Sequence, residues 1–205
     1  GIFGGMFLAA VHAFLCITMR ADQIISGIAV NLLAVGIPPV ICKALYGMSG
    51  GTPMLQTADR VPAFFGVSPL VIAAFVMAAF LWFVHKHTRF GGYVRFAGEH
   101  PQALESQGIS VKKIRWIAVL ISGALCGIAG AYLSIDHGSG FSRNMTAGRG
   151  YIALAALIIG RWTPLGSFLA TLVFGLVETV QIFLQGSKFP VPIPGIGETV
   201  PVQWI

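Results

Sequence analysis

Residues 114–135 read IRWIAVLISGALCGIAGAYLSI, and this apolar run decides the class of fold. It has the length of roughly 20 residues that an α-helix needs to cross the ~30 Å hydrocarbon core of a bilayer. Similar runs recur along the chain, which is 56% hydrophobic and only 10% charged, whereas soluble domains carry about 25% charged residues. The sequence therefore predicts an all-α integral membrane protein.

Small residues are spaced along this run so that they can share one side of a helix. Gly123, Gly127 and Gly130 stand close to one helical turn apart, with serine and alanine between them. Small residues at this spacing let two backbones approach closely in a bilayer, where van der Waals packing drives helix association. We expect these three glycines to pack against another helix, with incidental glycine and alanine richness as the alternative.

The apolar segments on either side predict a polytopic transmembrane bundle of about five to six spans. Further spans are expected at 2–19, 24–45, 69–84 and 165–185, and a half-length apolar segment at 151–160. This half-length segment precedes an Arg-Trp-Thr-Pro break, a pattern typical of a discontinuous or re-entrant helix in transporters. Pro38 and Pro39 should kink or terminate the second span.

The basic residues orient the bundle. The net charge of +6 could indicate nucleic-acid binding, but the charges flank apolar spans and do not form a soluble face. The positive-inside rule instead places Arg20, residues 86–95 and residues 112–115 in the cytoplasm, which gives alternating spans and predicts no nucleic-acid partner. Arg143 and Arg149 then fall on the outside, against the rule.

The longest polar interval is RFGGYVRFAGEHPQALESQGISVKKIRW, residues 89–116. Within it, residues 90–113 are expected to form a cytoplasmic loop. Pro101 suits the first turn of a helix, and Gly108 is a natural C-terminal cap. We therefore expect a helix of one to two turns in this loop, with an ordinary solvated connector as the alternative.

Polar residues inside the apolar spans are candidates for a substrate pathway, because they are costly in lipid and usually face the bundle interior. These are Gln23, Ser26, Asn31, Glu178 and Gln181. The last two, three residues apart, share a helix face. An interhelical hydrogen bond is the alternative for Asn31, and snorkelling toward the interface is the alternative for Glu178.

The sequence shows no pattern of an enzyme, a cofactor site or a metal site. It lacks the G-x-x-x-x-G-K-[ST] phosphate loop, H-E-x-x-H and G-x-S-x-G. Three scattered cysteines indicate packing residues. An intramembrane enzyme using His12, Asp136 or Glu178 is disfavoured because these residues are separated. The chain begins without methionine and ends after a Pro-rich stretch, so we expect further spans beyond one or both ends.

Several stretches resemble the permease subunits of bacterial ABC importers for simple sugars and nucleosides, within the superfamily that includes branched-chain amino-acid and ribose permeases. The resemblance is strongest to the branch that works with lipoprotein nucleoside-binding proteins. It rests on RADQIISGIAVNLLAVGI (20–37), GEHPQALESQGISVKKIRW (98–116), SGALCGIAGAYLSI (122–135) and GRGYIALAALIIGRWTPLGSFLATLVFGLVETVQIFLQ (148–185). The whole chain, residues 1–205, would then be one transmembrane permease domain in the bacterial inner membrane.

The resemblance implies that the short helix is a coupling helix, docked on a cytoplasmic ABC ATPase that hydrolyses ATP for the permease. The family pattern is approximately G-E-N-P-x-A-A-x-x-x-G-I, with His100 and Leu104 departing from it here. The coupling residues are expected to be Gly98, Glu99, Pro101, Ala103, Glu105, Gly108 and Ile109. Other implied partners are membrane lipid, a second identical or paralogous permease subunit, and an extracytoplasmic solute-binding lipoprotein that contacts residues 46–68 and 136–150.

Two other transport functions remain open from the sequence. A branched-chain amino-acid ABC permease belongs to the same superfamily, and an ion-coupled secondary transporter would also show broken helices and intramembrane polar groups.

Overall fold

The computed structural model describes residues 1–48, 50–53, 68–137 and 140–186, and these are mainly helical. The helices are α1 (Ile2–Ala13), α2 (Gln23–Tyr46), α3 (Pro69–His87), α4 (Arg89–Glu99), α5 (Pro101–Ser106), α6 (Val111–Tyr132), α7 (Arg149–Ile159) and α8 (Pro164–Gly186). Every apolar segment predicted from the sequence coincides with a helix.

Among the described residues, four helical segments are long and apolar enough to cross a membrane: Gln23–Tyr46, Pro69–His87, Val111–Asp136 and Pro164–Leu184. Two shorter apolar helices, Ile2–Thr18 and Arg149–Ile159, accompany them. The most apolar windows of these four segments are only 0–11% buried within the described part of the chain. The predicted all-α polytopic fold is confirmed.

Two of the spans end in π-helical turns. α1 continues as a π-helix over Phe14–Thr18, and α6 continues as a π-helix over Leu133–His137. A π-turn holds one residue more than an α-turn and is frequent at functional sites. The first span therefore extends to Thr18 although its α-helical part ends at Ala13.

The second span contains both prolines and continues past them. Asp22 caps its N-terminus, where its Oδ1 accepts hydrogen bonds from the backbone N–H of Ile24 at 2.7 Å and Ile25 at 3.2 Å. α2 includes Pro38 and Pro39 and ends only at Tyr46, before Gly47 with φ +70°. Termination at the prolines is therefore wrong, because neighbouring groups and local adjustment make proline tolerable in a transmembrane helix.

The chain divides into two compact units, residues 1–147 and a second unit that begins at Gly148. In the first unit, α1 packs along α6 through glycines. A Cβ added to Gly123 would overlap the Cβ of Ala9 and lie 2.7 Å from the carbonyl oxygen of Gly5. A Cβ on Gly127 would lie 2.9 Å from the Cα of Ile2. The two backbones thus touch where a larger side chain could not fit.

Gly130 lies on α6 in a different environment from Gly123 and Gly127. A Cβ added to it would meet no atom within 4 Å in the described part of the chain. The structure thus places two of the three small residues in the α1–α6 contact and the third in open space.

The second unit is a hairpin of α7 and α8 joined by a tight turn. Arg161 and Trp162 adopt left-handed backbone conformations, with φ of 55° and 59°. The hydroxyl of Thr163 donates to the carbonyl of Gly160 at 2.8 Å and accepts from the N–H of Gly166 at 3.2 Å. This turn reverses the direction of the chain, so that the half-length helix α7 packs against the full span α8.

Candidate functional site

The short helix α5 occupies the position predicted for it. Pro101 is its first residue, and the helix ends at Ser106. Gly108 has φ +77°, a left-handed conformation that glycine adopts without strain. The N–H of Ile109 then donates to the carbonyl of Leu104 at 3.0 Å, which closes the C-terminal turn.

A small apolar cluster holds α5 in place. Leu104, 3% exposed, packs with buried side chains of α4 and α6, namely Ala97, Val111 and Ile114, and with the partly buried Tyr93, Val94 and Ile109. The guanidinium of Arg115 donates to the carbonyl of Ala97 at 3.1 Å and so joins α6 to α4. The leucine that departs from the family pattern is thus the residue that anchors the helix.

The other residues predicted to couple to an ATPase surround this anchor. Gly98, Glu99, Ala103, Glu105 and Gly108 are exposed, whereas Pro101 and Ile109 are partly buried. Glu99 pairs with Arg95 one turn earlier on α4 at 3.1 Å. This segment therefore presents an exposed surface on a fixed base, as a docking element requires.

The expected loop 90–113 contains one more helix than the sequence indicated. α4 spans Arg89–Glu99, and Thr88 separates it from α3. The hydroxyl of Thr88 donates to the carbonyl of Val84 and accepts from the N–H of Gly91 at 3.2 Å. The polar composition of α4 concealed this helix, whose Tyr93, Val94 and Ala97 pack with residues of α5 and α6.

The three candidate pathway residues of α2 lie in different surroundings. Ser26 is 4% exposed, and its hydroxyl lies 2.9 Å from Nδ1 of His12 on α1. Asn31 is exposed, and Gln23, also exposed, lines a cavity beside α5. The structure does not gather these three residues at one point.

The two candidate residues of α8 do share a cavity. It has a volume of about 390 Å³ and lies along the α7–α8 hairpin, lined by Arg149, Ile152, Ala153, Thr171, Phe174, Gly175, Val177, Glu178 and Gln181. The guanidinium of Arg149 donates to Oε1 of Glu178 at 3.0 Å. An ion pair thus stands beside an amide and an aromatic ring on an otherwise apolar hairpin.

Two stretches expected to lie outside the membrane meet in the first unit. Gly51 and Ser142 form an isolated antiparallel bridge. The N–H of Thr52 donates to the carbonyl of Phe141 at 2.9 Å, and the Thr52 hydroxyl accepts from the N–H of Phe141 at 2.9 Å. The expected contact surface for a solute-binding protein also includes residues 54–67 and 138–139, which lie outside the described residues.

Aromatic and basic side chains contact one another near the end of α3. His87 stacks on Phe83 with ring centroids 5.0 Å apart, and Lys86 lies 5.3 Å from the ring centroid of Trp82. No group of three or more potential metal ligands occurs among the residues that the structure describes. These contacts are those of a residue cluster at a membrane interface.

Three features of the site escaped sequence reasoning. Leu104 departs from the family pattern yet anchors α5, Arg149 is expected in an outer loop, and the sequence does not indicate Ser26 as the partner of His12. The sequence does contain one signal for the ion pair, because Arg149 on α7 carries a charge opposite to that of Glu178 on α8. Recognising that signal required knowing that the 160–163 turn makes a hairpin.

These elements are those of a polytopic membrane protein: long apolar helices, a helical hairpin and a short helix held between α4 and α6. The chain matches the family of branched-chain amino acid transport system permease components over residues 1–196. It therefore belongs to this family of transport subunits and is a multi-pass membrane protein. No solved structure matches the chain significantly.

Three relatives have names that state which substrate those proteins transport. The guanosine ABC transporter permease protein NupQ of Bacillus subtilis is 35% identical over 91% of this chain and 62% of its own length. The nucleoside ABC transporter permease protein NupC of Lactococcus lactis is 33% identical over 97% of this chain and 64% of its own length. A Haloferax volcanii permease with an inferred glucose cargo is 34% identical over 90% of this chain and 60% of its own length. The chain thus spans less than two-thirds of each relative.

Proposed function

We propose that this chain is the membrane-spanning permease subunit of an ATP-driven ABC importer that translocates a nucleoside. The observation that carries the proposal is its similarity, at 35% and 33% identity over more than nine-tenths of the chain, to two permeases named for guanosine and nucleoside transport. The geometry of α5 supports the ABC class, because an ion-coupled transporter needs no exposed docking helix on a fixed base.

The proposed mechanism uses α5 as the contact to a cytoplasmic ATPase. Two permease subunits, identical or paralogous, would form the pathway, and each α5 would bind one ATPase. ATP-driven closure of the ATPases would move α5 and bias the spans between inward-open and outward-open states. Nucleotide can do this only if it binds the two states with different affinity. The Leu104 cluster would transmit the movement to α4 and α6.

The substrate pathway is proposed to include Gln23, Ser26, Asn31, Glu178 and Gln181. The hairpin cavity offers the chemistry that a nucleoside needs: the ring of Phe174 for the base, and the Glu178 carboxylate and Gln181 amide for hydroxyl and base-edge hydrogen bonds. Its volume of about 390 Å³ falls in the usual range of roughly 300–1,000 Å³ for small-molecule sites. A solute-binding lipoprotein would deliver the nucleoside to the outer surface that includes residues 50–53 and 140–143.

The docking role is tested with Ala103→Glu in the complete importer, reconstituted with its ATPase and binding protein. A carboxylate on the exposed face of α5 should abolish stimulation of ATP hydrolysis by the loaded binding protein. Ala21→Glu places the same charge on an exposed alanine of the α1–α2 turn and serves as the matched control. Equal stimulation in both variants would exclude α5 as the coupling element.

The cargo is tested separately by uptake into proteoliposomes. Radiolabelled guanosine and uridine should be taken up with ATP, whereas glucose and leucine should not. Uptake of glucose alone would support the sugar cargo inferred for the Haloferax relative, and uptake of leucine alone would support the branched-chain amino-acid alternative. ATP-independent uptake driven by an ion gradient would overturn the ABC assignment.

A further inference from the structure

A second and larger cavity, of about 630 Å³, lies in the first unit beside α5. It is bounded by the end of the first span, the turn before α2, and helices α4, α5 and α6. Its lining is Cys16, Ile17, Arg20, Gln23, Val94, Ala97, Gly98, Pro101, Gln102, Glu105, Val111, Lys112, Ile114, Arg115 and Ala118. Gln23 belongs to the proposed substrate pathway, whereas the proposed transport mechanism assigns no role to the basic residues of this space.

The rim of this cavity carries an excess of positive charge. Arg20, Lys112 and Arg115 line it, against the single carboxylate of Glu105. Within the described ranges none of these three cations forms an ion pair, and Arg115 instead donates to the Ala97 carbonyl. Three cations gathered from the α1–α2 turn and α6 repel one another, so an anion between them would be stabilised.

The inner wall of the cavity is apolar. Ile17, Val94, Ile114 and Ala118 line it, and the lining follows one face of α6 from Lys112 to Ala118. At 1.5 Å per residue this face runs about 9 Å along the helix. Because α6 is one of the membrane spans, the cavity leads from a charged rim at the end of the span into its apolar part.

We propose that this cavity binds an anionic glycerophospholipid, with its phosphate among Arg20, Lys112 and Arg115 and the start of an acyl chain against Ile114 and Ala118. Basic pockets between transmembrane helices are the usual sites for anionic headgroups. A free phosphate would use the rim and leave the apolar wall without a partner. The Glu105 carboxylate can accept hydrogen bonds from the hydroxyls of a glycerol headgroup, which favours phosphatidylglycerol over a headgroup that carries its own carboxylate.

The cavity lies on one side of α5 and shares Gly98, Pro101 and Glu105 with the proposed ATPase contact. Pro101, Gln102 and Glu105 line the cavity, whereas Ala103 and Ser106 do not. At about 100° per residue, Ala103 lies at least about 100° around the helix from each of the three lining residues, and Leu104 faces the apolar cluster. A bound lipid would therefore brace α5 against the α1–α2 turn and leave the Ala103 side of the helix for an ATPase.

The test measures binding of dioctanoyl phosphatidylglycerol to the detergent-purified complete importer. Lys112→Gln and Arg20→Gln should each weaken this binding about five-fold, the equivalent of about 1 kcal/mol per basic residue. Lys113→Gln is the matched control, because Lys113 is adjacent and exposed but does not line the cavity, and it should bind as the wild type does. Because the experiment measures lipid binding and not uptake, its result does not depend on whether the proposed transport function is correct.

Four results would overturn the proposal. Equal weakening by Lys113→Gln would mean a diffuse surface charge, and equal binding of dioctanoyl phosphatidylcholine would remove the role of the headgroup. Inorganic phosphate that competes at the same concentration as the lipid would make this a free-anion site. Loss of lipid binding whenever the ATPase is bound would make the ATPase the occupant.

Ala118→Phe, which fills the inner end of the cavity, should weaken lipid binding without changing the affinity for glycerol 3-phosphate.

Discussion

The α1–α6 contact and the α7–α8 hairpin both join two apolar helices, but they do so by different means. The first relies on glycines that let the backbones touch, and the second contains an ion pair between Arg149 and Glu178. Glycine packing costs nothing in lipid, whereas ionised groups in a span are expensive and usually functional. The α1–α6 contact is therefore suited to assembly alone, whereas the hairpin keeps an ion pair that makes it the stronger candidate for a functional site.

The glycine contact should give the largest effect on stability. Gly123→Ala places a methyl group against Ala9 and the Gly5 carbonyl, so we expect a loss of about 1–3 kcal/mol from overpacking. Gly130→Ala is the matched control, because the space around it is open. It should be neutral or stabilising by up to about 1 kcal/mol, since alanine favours the helix. Thermal unfolding of the two purified variants measures the difference, and equal melting temperatures would contradict the contact.

The ion pair should give an intermediate effect. Side chains of Arg149 and Glu178 are 33% and 45% exposed, so we expect a coupling energy of only about 1 kcal/mol in a double-mutant cycle of Arg149→Met and Glu178→Gln. Arg161→Gln, at the other end of the hairpin, is the control for loss of a basic residue.

Nucleoside uptake and protein stability should respond differently to these hairpin variants. The double variant should recover most of the stability lost by either single variant, yet nucleoside uptake should stay impaired because Glu178 is a proposed pathway residue. Full recovery of uptake in the double variant would reduce the pair to a structural link, like the glycine contact.

The smallest effect should come from the hydrogen bond between α1 and α2. Ser26→Ala removes the partner of His12, and hydrogen bonds between membrane helices average about 0.6 kcal/mol. Ser122→Ala is the control, because Ser122 is exposed on α6. If both variants melt at the same temperature, the bond contributes nothing and glycine packing alone holds α1.

Much of the fold could be predicted from the sequence because the length of an apolar run indicates directly whether it can span a membrane. The α5 helix was also predictable, since Pro101 and Gly108 mark its two ends by backbone chemistry. α4 was missed because its residues combine charges with glycine and lack a long apolar run. Continuation of α2 through Pro38 and Pro39 was missed because the low helix propensity of proline in water does not apply to a helix surrounded by lipid and other helices.

The candidate site was harder to predict because it depends on contacts between distant residues. Arg149 and Glu178 are 29 positions apart and meet only because two left-handed residues, Arg161 and Trp162, turn the chain back. The cluster at Leu104 likewise requires α4, α5 and α6 to converge. Spacing along one helix, which placed Glu178 and Gln181 on one face, cannot show such meetings.

The inward anchoring of α5 through Leu104 also has an evolutionary consequence. Folding of this segment depends on the buried side of the helix, whereas Ala103 and Ser106 on the outer side make no contribution to the apolar cluster. Substitutions on that outer side can therefore accumulate without loss of stability. Under the proposed docking role of α5, a duplicated permease of this architecture could exchange one ATPase for another through a few surface changes, while the spans stay the same.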